Sequence, residues 1–285
     1  MAHSLSPALH CAAYAALGLR SWRYEAIEVD EAGLAGWLAG LDAEWAGLSL
    51  TMPLKRSILP HLAAVTPLAA AVGAVNTVLV RAGEPPAVSD GAGAATIRLE
   101  GDNTDVHGIV AALREGGIGP VGRAHVLGAG ATACSAVAAL RELGCTTPVV
   151  HARAAARAAE LVAAADRLGV RILLAGMDDL SGLAAADVVI STLPAGAADP
   201  LVGPILAFPP TGVLLDAVYH PWPTRLGRAW QDAGGRVVGG FVLLLHQAVA
   251  QVALMTGRTP PLDAMRAAGQ AALAGRASEA GSRDG

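Results

Sequence analysis

The spacing of apolar residues changes period several times over the first hundred positions. In "SPALHCAAYAALGL" (6–19) it is helical, behind an N-cap serine and a first-turn proline, so a helix is expected right after His3-Ser4-Leu5. "RYEAIEVD" (23–30) alternates apolar and polar residues and reads as a strand, and "EAGLAGWLAGL" (31–41) reads as a helix. "WAGLSLTMP" (45–53) is a short strand stopped by Pro53, and "LKRSILPHL" (54–62) opens another helix. Residues 74–101 read as a β-hairpin whose arms, "AVNTVLVR" and "TIRLEGD", are joined by a Gly/Pro/Ala loop over 83–95 that is expected to be mobile. A helical connector, "GDNTDVHGIVAALREGG" (101–117), follows.

From residue 123 the pattern becomes a regular alternation. "RAHVLGAGATACSAVAALRELG" is strand, glycine-rich turn and helix, and "PVVHARAAARAAELVAAADRLG" is strand then helix. "ADVVISTLP" and "GVLLDAVY" are two more buried-strand signatures. Strands alternating with helices predict a parallel, doubly wound sheet, so the fold class is α/β. "FVLLLHQAVAQVAL" (241–254) is the most apolar helix, and the tail from Arg276, "RASEAGSRDG", is expected to be disordered.

Composition narrows the function classes. The 285 residues, 53% of them hydrophobic, suffice for about two domains with sizeable cores. A net charge of −4 with scattered arginines gives no basic stripe for nucleic acid or an anionic membrane. Mean hydropathy is +0.47, yet no run of 18 uncharged apolar residues reads as a membrane span, and "MAHSLSPALH" does not read as a secretory leader. Cys11, Cys134 and Cys145 make no CxxC and are expected to be buried in a reducing, cytoplasmic setting. The eight histidines show no metal-binding spacing, so no metal is expected, and His246 beside Gln247 is expected to pack rather than ligate.

Rare residues carry the candidate chemistry. Of 20 lysines and arginines only Lys55 is a lysine. Guanidinium stays protonated at any working pH, whereas an ammonium can exchange its proton, so a lysine kept among arginines is a candidate proton donor or acceptor. Asparagine occurs only at Asn76 and Asn103, and with Asp105 and Lys55 these residues fall at expected strand or turn ends, where open α/β sheets place ligands. Ser4, Ser6, Thr51 and Gln247 add groups for a hydroxyl-rich small molecule. In the second half, Gly128-Ala129-Gly130-Ala131-Thr132-Ala133 is a GxGxxA turn between strand and helix, suited to a pyrophosphate at the helix N-terminus. Where an NAD-specific fold places an acidic residue for the ribose, this chain has Arg153 and Arg157, suited to a 2′-phosphate, so NADP is expected over NAD.

"HSLSPALH", "SLTMPLK", "AVNTV", "GDNTD", "VLGAGATA", "STLP", "LLDAVYHPWPT" and "GGFVLLLHQA" follow one another in an order and spacing that resembles the shikimate dehydrogenase family over nearly the whole chain. The resemblance implies a substrate domain over 1–105 completed by helices over 238–275, with a Rossmann-like NADP-binding domain over 106–237. It implies reversible NADPH-dependent reduction of 3-dehydroshikimate to shikimate in aromatic amino-acid (chorismate) biosynthesis, with Lys55 and Asp105 as the catalytic pair. Ser4, Ser6, Thr51, Lys55, Asn76, Asp105, Tyr219 and Gln247 would contact the substrate. Gly128, Ala129, Gly130, Ala131, Thr132, Arg153, Arg157, Thr192 and Gly240 would contact NADP. A monomer or homodimer with no nucleic-acid or membrane partner is implied.

The same architecture serves quinate- and aminoshikimate-type dehydrogenases, though serine rather than threonine at position 6 favours shikimate. A Schiff-base role for Lys55, or a non-catalytic NADP-binding regulator, are readings from other classes. Three departures from the family pattern stand out. The usual Asn-Arg-Thr reads Ala152-Arg153-Ala154, which predicts weaker NADP selectivity, and the usual methionine before the last helix is Leu243, a volume-conserving change. The family's opening strand and Gly-x-Pro-Ile segment do not precede His3. A version extended upstream by that strand is therefore expected to melt higher than this chain, and equal melting temperatures would contradict the expectation.

Overall fold

The computed structural model describes residues 4–83, 97–180, 182–206 and 210–281, with the side chains of Ala155, Arg157, Leu206 and residues 277–281 outside the description. His3 and nearly all of the loop over 83–95 lie outside the described residues. In chain order the elements are α1 (Ser6–Ala16), α2 (Leu34–Leu38), β1 (Gly47–Ser49), α3 (Leu54–Ser57), β2 (Ala64–Val65), α4 (Pro67–Val72), β3 (Thr77–Ala82), β4 (Ile97–Asp102) and α5 (Thr104–Glu115). There follow β5 (Ala124–Leu127), α6 (Ala131–Glu142), β6 (Val149–His151), α7 (Ala159–Leu168), β7 (Leu173–Ala175), β8 (Val188–Ser191), α8 (Val202–Leu206), β9 (Val213–Asp216), α9 (Arg225–Asp232), β10 (Arg236–Gly239), α10 (Gly240–Thr256) and α11 (Leu262–Gly281).

The chain divides into two compact units. The first comprises Met1–Thr66, Val75–Thr104 and Gln247–Gly285. Its sheet has the order β1-β3-β4-β2. The hairpin read from the sequence is present, with Thr77 opposite Asp102 and Ala82 opposite Ile97, and β1 pairs antiparallel to β3 on its other side. α1 buries Leu9, His10, Ala13 and Tyr14 and packs against α11.

Three expectations fail in this unit. No strand forms over 23–30: the segment makes no ladder with the sheet, whose edge strand is β1, and both line one cavity of about 1720 Å³. Alternation alone makes no strand without a partner to ladder with. The last helix continues past Arg276 to Gly281, because "RASEA" is composed of residues that tolerate helix and nothing stops it before that glycine. Cys11 is exposed on the outer face of α1, whereas Cys134 and Cys145 are buried.

The second unit comprises Pro67–Ala74 and Asp105–His246. Its six parallel strands have the order β10-β9-β8-β5-β6-β7, the doubly wound arrangement whose direction reverses at β5. All four residues of β5, β8 and β9 are buried, as central strands covered on both faces must be, and α6 buries Ala133 through Leu140 against them. No helix among the described residues is long and apolar enough to cross a membrane, and no group of three His, Cys, Asp or Glu residues among them could hold a metal ion.

Two histidines sit inside this apolar sheet. The rings of His125 on β5 and His151 on β6 stack with centroids 5.2 Å apart. Nδ1 of His151 lies 3.1 Å from the Gly176 carbonyl, which can only accept, so that nitrogen carries the proton. Nε2 of His151 then accepts from Nδ1 of His125 at 2.9 Å. Burial lowers the pKa of both rings, that of His125 from 6.5 to about 4. Between these values the unfolded chain binds a proton that the folded chain refuses, so stability is lost as pH falls through this window. We expect the thermal midpoint to fall between pH 7 and pH 4.5, and to fall less in a His125→Gln variant; identical pH dependence in the two would contradict the assignment.

Candidate active site

In the first unit, β3 runs antiparallel to both β1 and β4, so the C-terminal ends of β1 and β4 and the N-terminal end of β3 share one edge of the sheet. Thr51, Asn103 and Asn76 lie just beyond these three ends. Main-chain bonds hold the edge in register: Leu50 N–H donates to the Asn76 carbonyl at 2.8 Å, and Asn76 N–H donates to the Asp102 carbonyl at 3.2 Å. Lys55 sits half-buried in α3, whose short turn is tied back when Val75 N–H donates to the Lys55 carbonyl at 2.8 Å. Thus the lysine backbone is anchored one residue from Asn76.

Asn76 is fully buried, and its side-chain oxygen accepts from the Thr77 hydroxyl at 2.9 Å and from Thr104 N–H at 2.8 Å. The second contact satisfies a first-turn amide of α5 that has no intrahelical partner. Ser4 and Ser6 are half-buried at the start of α1, where the Ser4 hydroxyl accepts from Ser6 N–H at 3.3 Å and the Ser4 carbonyl accepts from Arg276 at 2.8 Å. Gln247 is half-buried on α10, within the part of that helix assigned to this unit, and Thr51 is exposed.

The other expected residues belong to the second unit. Asp105, in the first turn of α5, is 2% exposed. The remaining groups all follow C-terminal ends of parallel strands: the 128–132 turn after β5, Arg153 after β6, Thr192 after β8, Tyr219 after β9 and Gly240 after β10. This is the edge at which open parallel sheets bind ligands.

Gly128 adopts φ +112°, and a Cβ there would lie 2.5 Å from the Thr192 hydroxyl oxygen. That hydroxyl is fixed by donating to the Leu127 carbonyl at 3.0 Å, so glycine is required at 128. Gly130, the N-cap of α6, offers no side-chain cap, and the space where its Cβ would stand is open. Uncapped first-turn amides facing open space form a cradle that fits a dinucleotide pyrophosphate. Arg153, two residues after the end of β6, is exposed, and no acidic residue stands at that strand end, where an NAD site carries its ribose ligand. Gly240 meets a different need, since a Cβ there would lie 2.2 Å from the Ala217 carbonyl oxygen.

Sequence reasoning missed Asp216, which ends β9 at 2% exposure. One oxygen accepts from the Thr224 hydroxyl at 2.6 Å and the other from Val218 N–H at 3.2 Å, while the Thr224 oxygen caps α9 through Gly227 N–H at 2.9 Å. Burial raises the Asp216 pKa. The carboxylate thereby shapes the loop that carries Tyr219, and its signal in the sequence is a lone acid ending the apolar run "GVLLD".

Comparison with known proteins gives a consistent result. A family model described as the shikimate dehydrogenase substrate binding domain matches residues 1–78, and one described as the shikimate 5′-dehydrogenase C-terminal domain matches residues 240–268. The shikimate dehydrogenase (NADP(+)) of Moorella thermoacetica is 37% identical over 276 residues, covering 92% of this chain and 87% of that protein. A shikimate dehydrogenase (NADP(+)) of Thermus thermophilus is 36% identical over 275 residues, covering 96% and 95%. Among solved structures, the Mycobacterium tuberculosis shikimate dehydrogenase matches with a TM-score of 0.80 and 43% identity over 95% of this chain and 96% of that one. A Thermus thermophilus shikimate 5-dehydrogenase in complex with NADP(H) and shikimate matches with a TM-score of 0.78 and 35% identity, over 95% and 96%.

The glycine turn yields a direct prediction. Gly128→Ala adds both left-handed strain and the clash with Thr192, so its thermal midpoint should fall, corresponding to about 1–3 kcal/mol. Gly130→Ala, where nothing is met, should melt close to the wild type; equal melting of the two variants would contradict the geometry.

Proposed function

The chain belongs to the shikimate dehydrogenase family, and from this premise we propose that it catalyses the reversible NADPH-dependent reduction of 3-dehydroshikimate to shikimate in aromatic amino-acid biosynthesis. The observation that carries the reading is the gathering of Ser4, Ser6, Thr51, Lys55, Asn76 and Gln247, all hydrogen-bonding groups, in one compact unit of a chain more than a third identical to NADP-dependent relatives. We further propose a cytoplasmic monomer or homodimer, with a substrate domain over 1–105 and 238–275 and a nucleotide domain over 106–237.

In this reading the 128–132 turn receives the pyrophosphate on main-chain amides of α6, with Thr192 and Gly240 shaping the site around it. Arg153 and Arg157 receive the 2′-phosphate. The bound nucleotide supplies a hydride to the ketone carbon. The oxygen left with a developing negative charge needs a proton, and the Lys55 ammonium donates it. In the oxidative direction the neutral amine takes the proton back. Asp105 orients the ammonium and accepts from a substrate hydroxyl, while Ser4, Ser6, Thr51, Asn76, Tyr219 and Gln247 hold the remaining oxygens. An arginine in place of Lys55 would bind the oxyanion and keep its proton.

The test is the initial rate of nucleotide reduction for each pairing of NADP⁺ or NAD⁺ with shikimate or quinate. NADP⁺ with shikimate should be fastest, and Lys55→Ala should lower that rate at least about 100-fold while shikimate still binds. Absence of turnover in a folded chain, or a Lys55→Ala rate near that of the wild type, would overturn the proposal.

A further inference from the structure

Gln251 lies on α10 one helical turn after Gln247, and at 1% exposure it is the most deeply placed amide of that helix. Its side-chain NH₂ donates to the Thr77 hydroxyl at 3.1 Å and to the Asn76 carbonyl at 3.4 Å. Its oxygen accepts from the Ser49 hydroxyl at 3.0 Å and faces Nε2 of His10 at 3.2 Å. Since that oxygen can only accept, Nε2 of His10 carries the proton, and Nδ1 accepts from the Tyr14 hydroxyl at 3.2 Å. Burial holds His10 neutral, with a pKa of about 4, and its ring stacks on Tyr24 with centroids 4.2 Å apart.

The network extends at one end to a group of the proposed substrate site. Through Thr77 it reaches the side-chain oxygen of Asn76, to which the Thr77 hydroxyl donates at 2.9 Å. At the other end it reaches Tyr24 through His10, on whose imidazole the Tyr24 ring stacks. A continuous series of hydrogen bonds therefore runs from Ser49 through Gln251 and Thr77 to Asn76, entirely within the first unit. An amide presents donors and acceptor in one rigid plane, so fixing one end of Gln251 orients the other.

We propose that Gln251 is the positioning residue for shikimate binding, setting Asn76 from behind. This rests on the proposed function, deepens it to a substrate-specificity device, and gives Gln251 no contact with the reacting atoms. Deleting two buried hydrogen bonds that align a binding group corresponds to about a tenfold loss.

Gln251→Met keeps the volume and removes every hydrogen bond. We expect it to raise the KM for shikimate about tenfold while the KM for NADP⁺ stays within about twofold. Ser49→Ala, a milder cut in the same chain, should raise the shikimate KM about threefold. Val252→Ala, next in sequence and fully buried, destabilises by packing alone and should leave both KM values unchanged. An unchanged shikimate KM in Gln251→Met and Ser49→Ala, or an equal rise in Val252→Ala, would overturn the inference while leaving the proposed function intact. Failure of the wild type to turn over shikimate would overturn the proposed function and this inference with it.

Discussion

A buried amide oxygen must be paired, and the first unit is built around meeting that need at Asn76. The donors that satisfy it are a hydroxyl from the strand it opens and the first amide of α5, so one side chain joins β3 to the helix that leaves the unit. Its own main chain bonds in both directions, to the residue after β1 and to the last residue of β4. The Lys55 carbonyl is held by the preceding residue. Position and chemistry are therefore coupled: groups expected to handle a hydroxyl-rich substrate are the same ones that close the sheet edge. Each unmet partner in such a buried network costs more than an exposed bond contributes, which makes the arrangement rigid.

The second unit solves a different problem with backbone alone. Five of its six strands end just ahead of a residue or turn that the proposed function gives to the nucleotide or substrate, and no side chain caps α6. The close approach of Gly128 to Thr192 narrows the turn, and that of Gly240 to Ala217 packs the start of α10 against the loop after β9. Asp216 fixes this loop from below. Small residues leave the start of α6 without a side-chain cap, while Arg153 stays at the surface.

Much of this was legible in the sequence where a physical signal was strong. The hairpin showed in its two alternating runs, and the parallel sheet in its apolar strands separated by helices. Lys55 was visible because every other basic residue is arginine. The failures have equally physical causes. The alternation over 23–30 was real, but pairing is a property of two segments, and periodicity in one says nothing of its neighbour. The helix beyond Arg276 was hidden by small polar residues that read as a tail. Gln251 was invisible because "AVAQVAL" reads as an apolar helix, and only tertiary structure brings Ser49, Thr77 and His10 to a glutamine distant in sequence. Asp216 ended a strand already assigned to the core, so its carboxylate attracted no role.

In the proposed reaction the lone lysine acts by giving up and regaining a proton, not by its charge. This role is tested most directly with Lys55→Arg, which retains the charge and hydrogen-bonding capacity but not the exchangeable proton. The measurement is kcat for shikimate oxidation by NADP⁺, alongside the affinity for shikimate. Shikimate should still bind, and kcat should fall at least about 100-fold. A kcat within a few-fold of the wild type would contradict it.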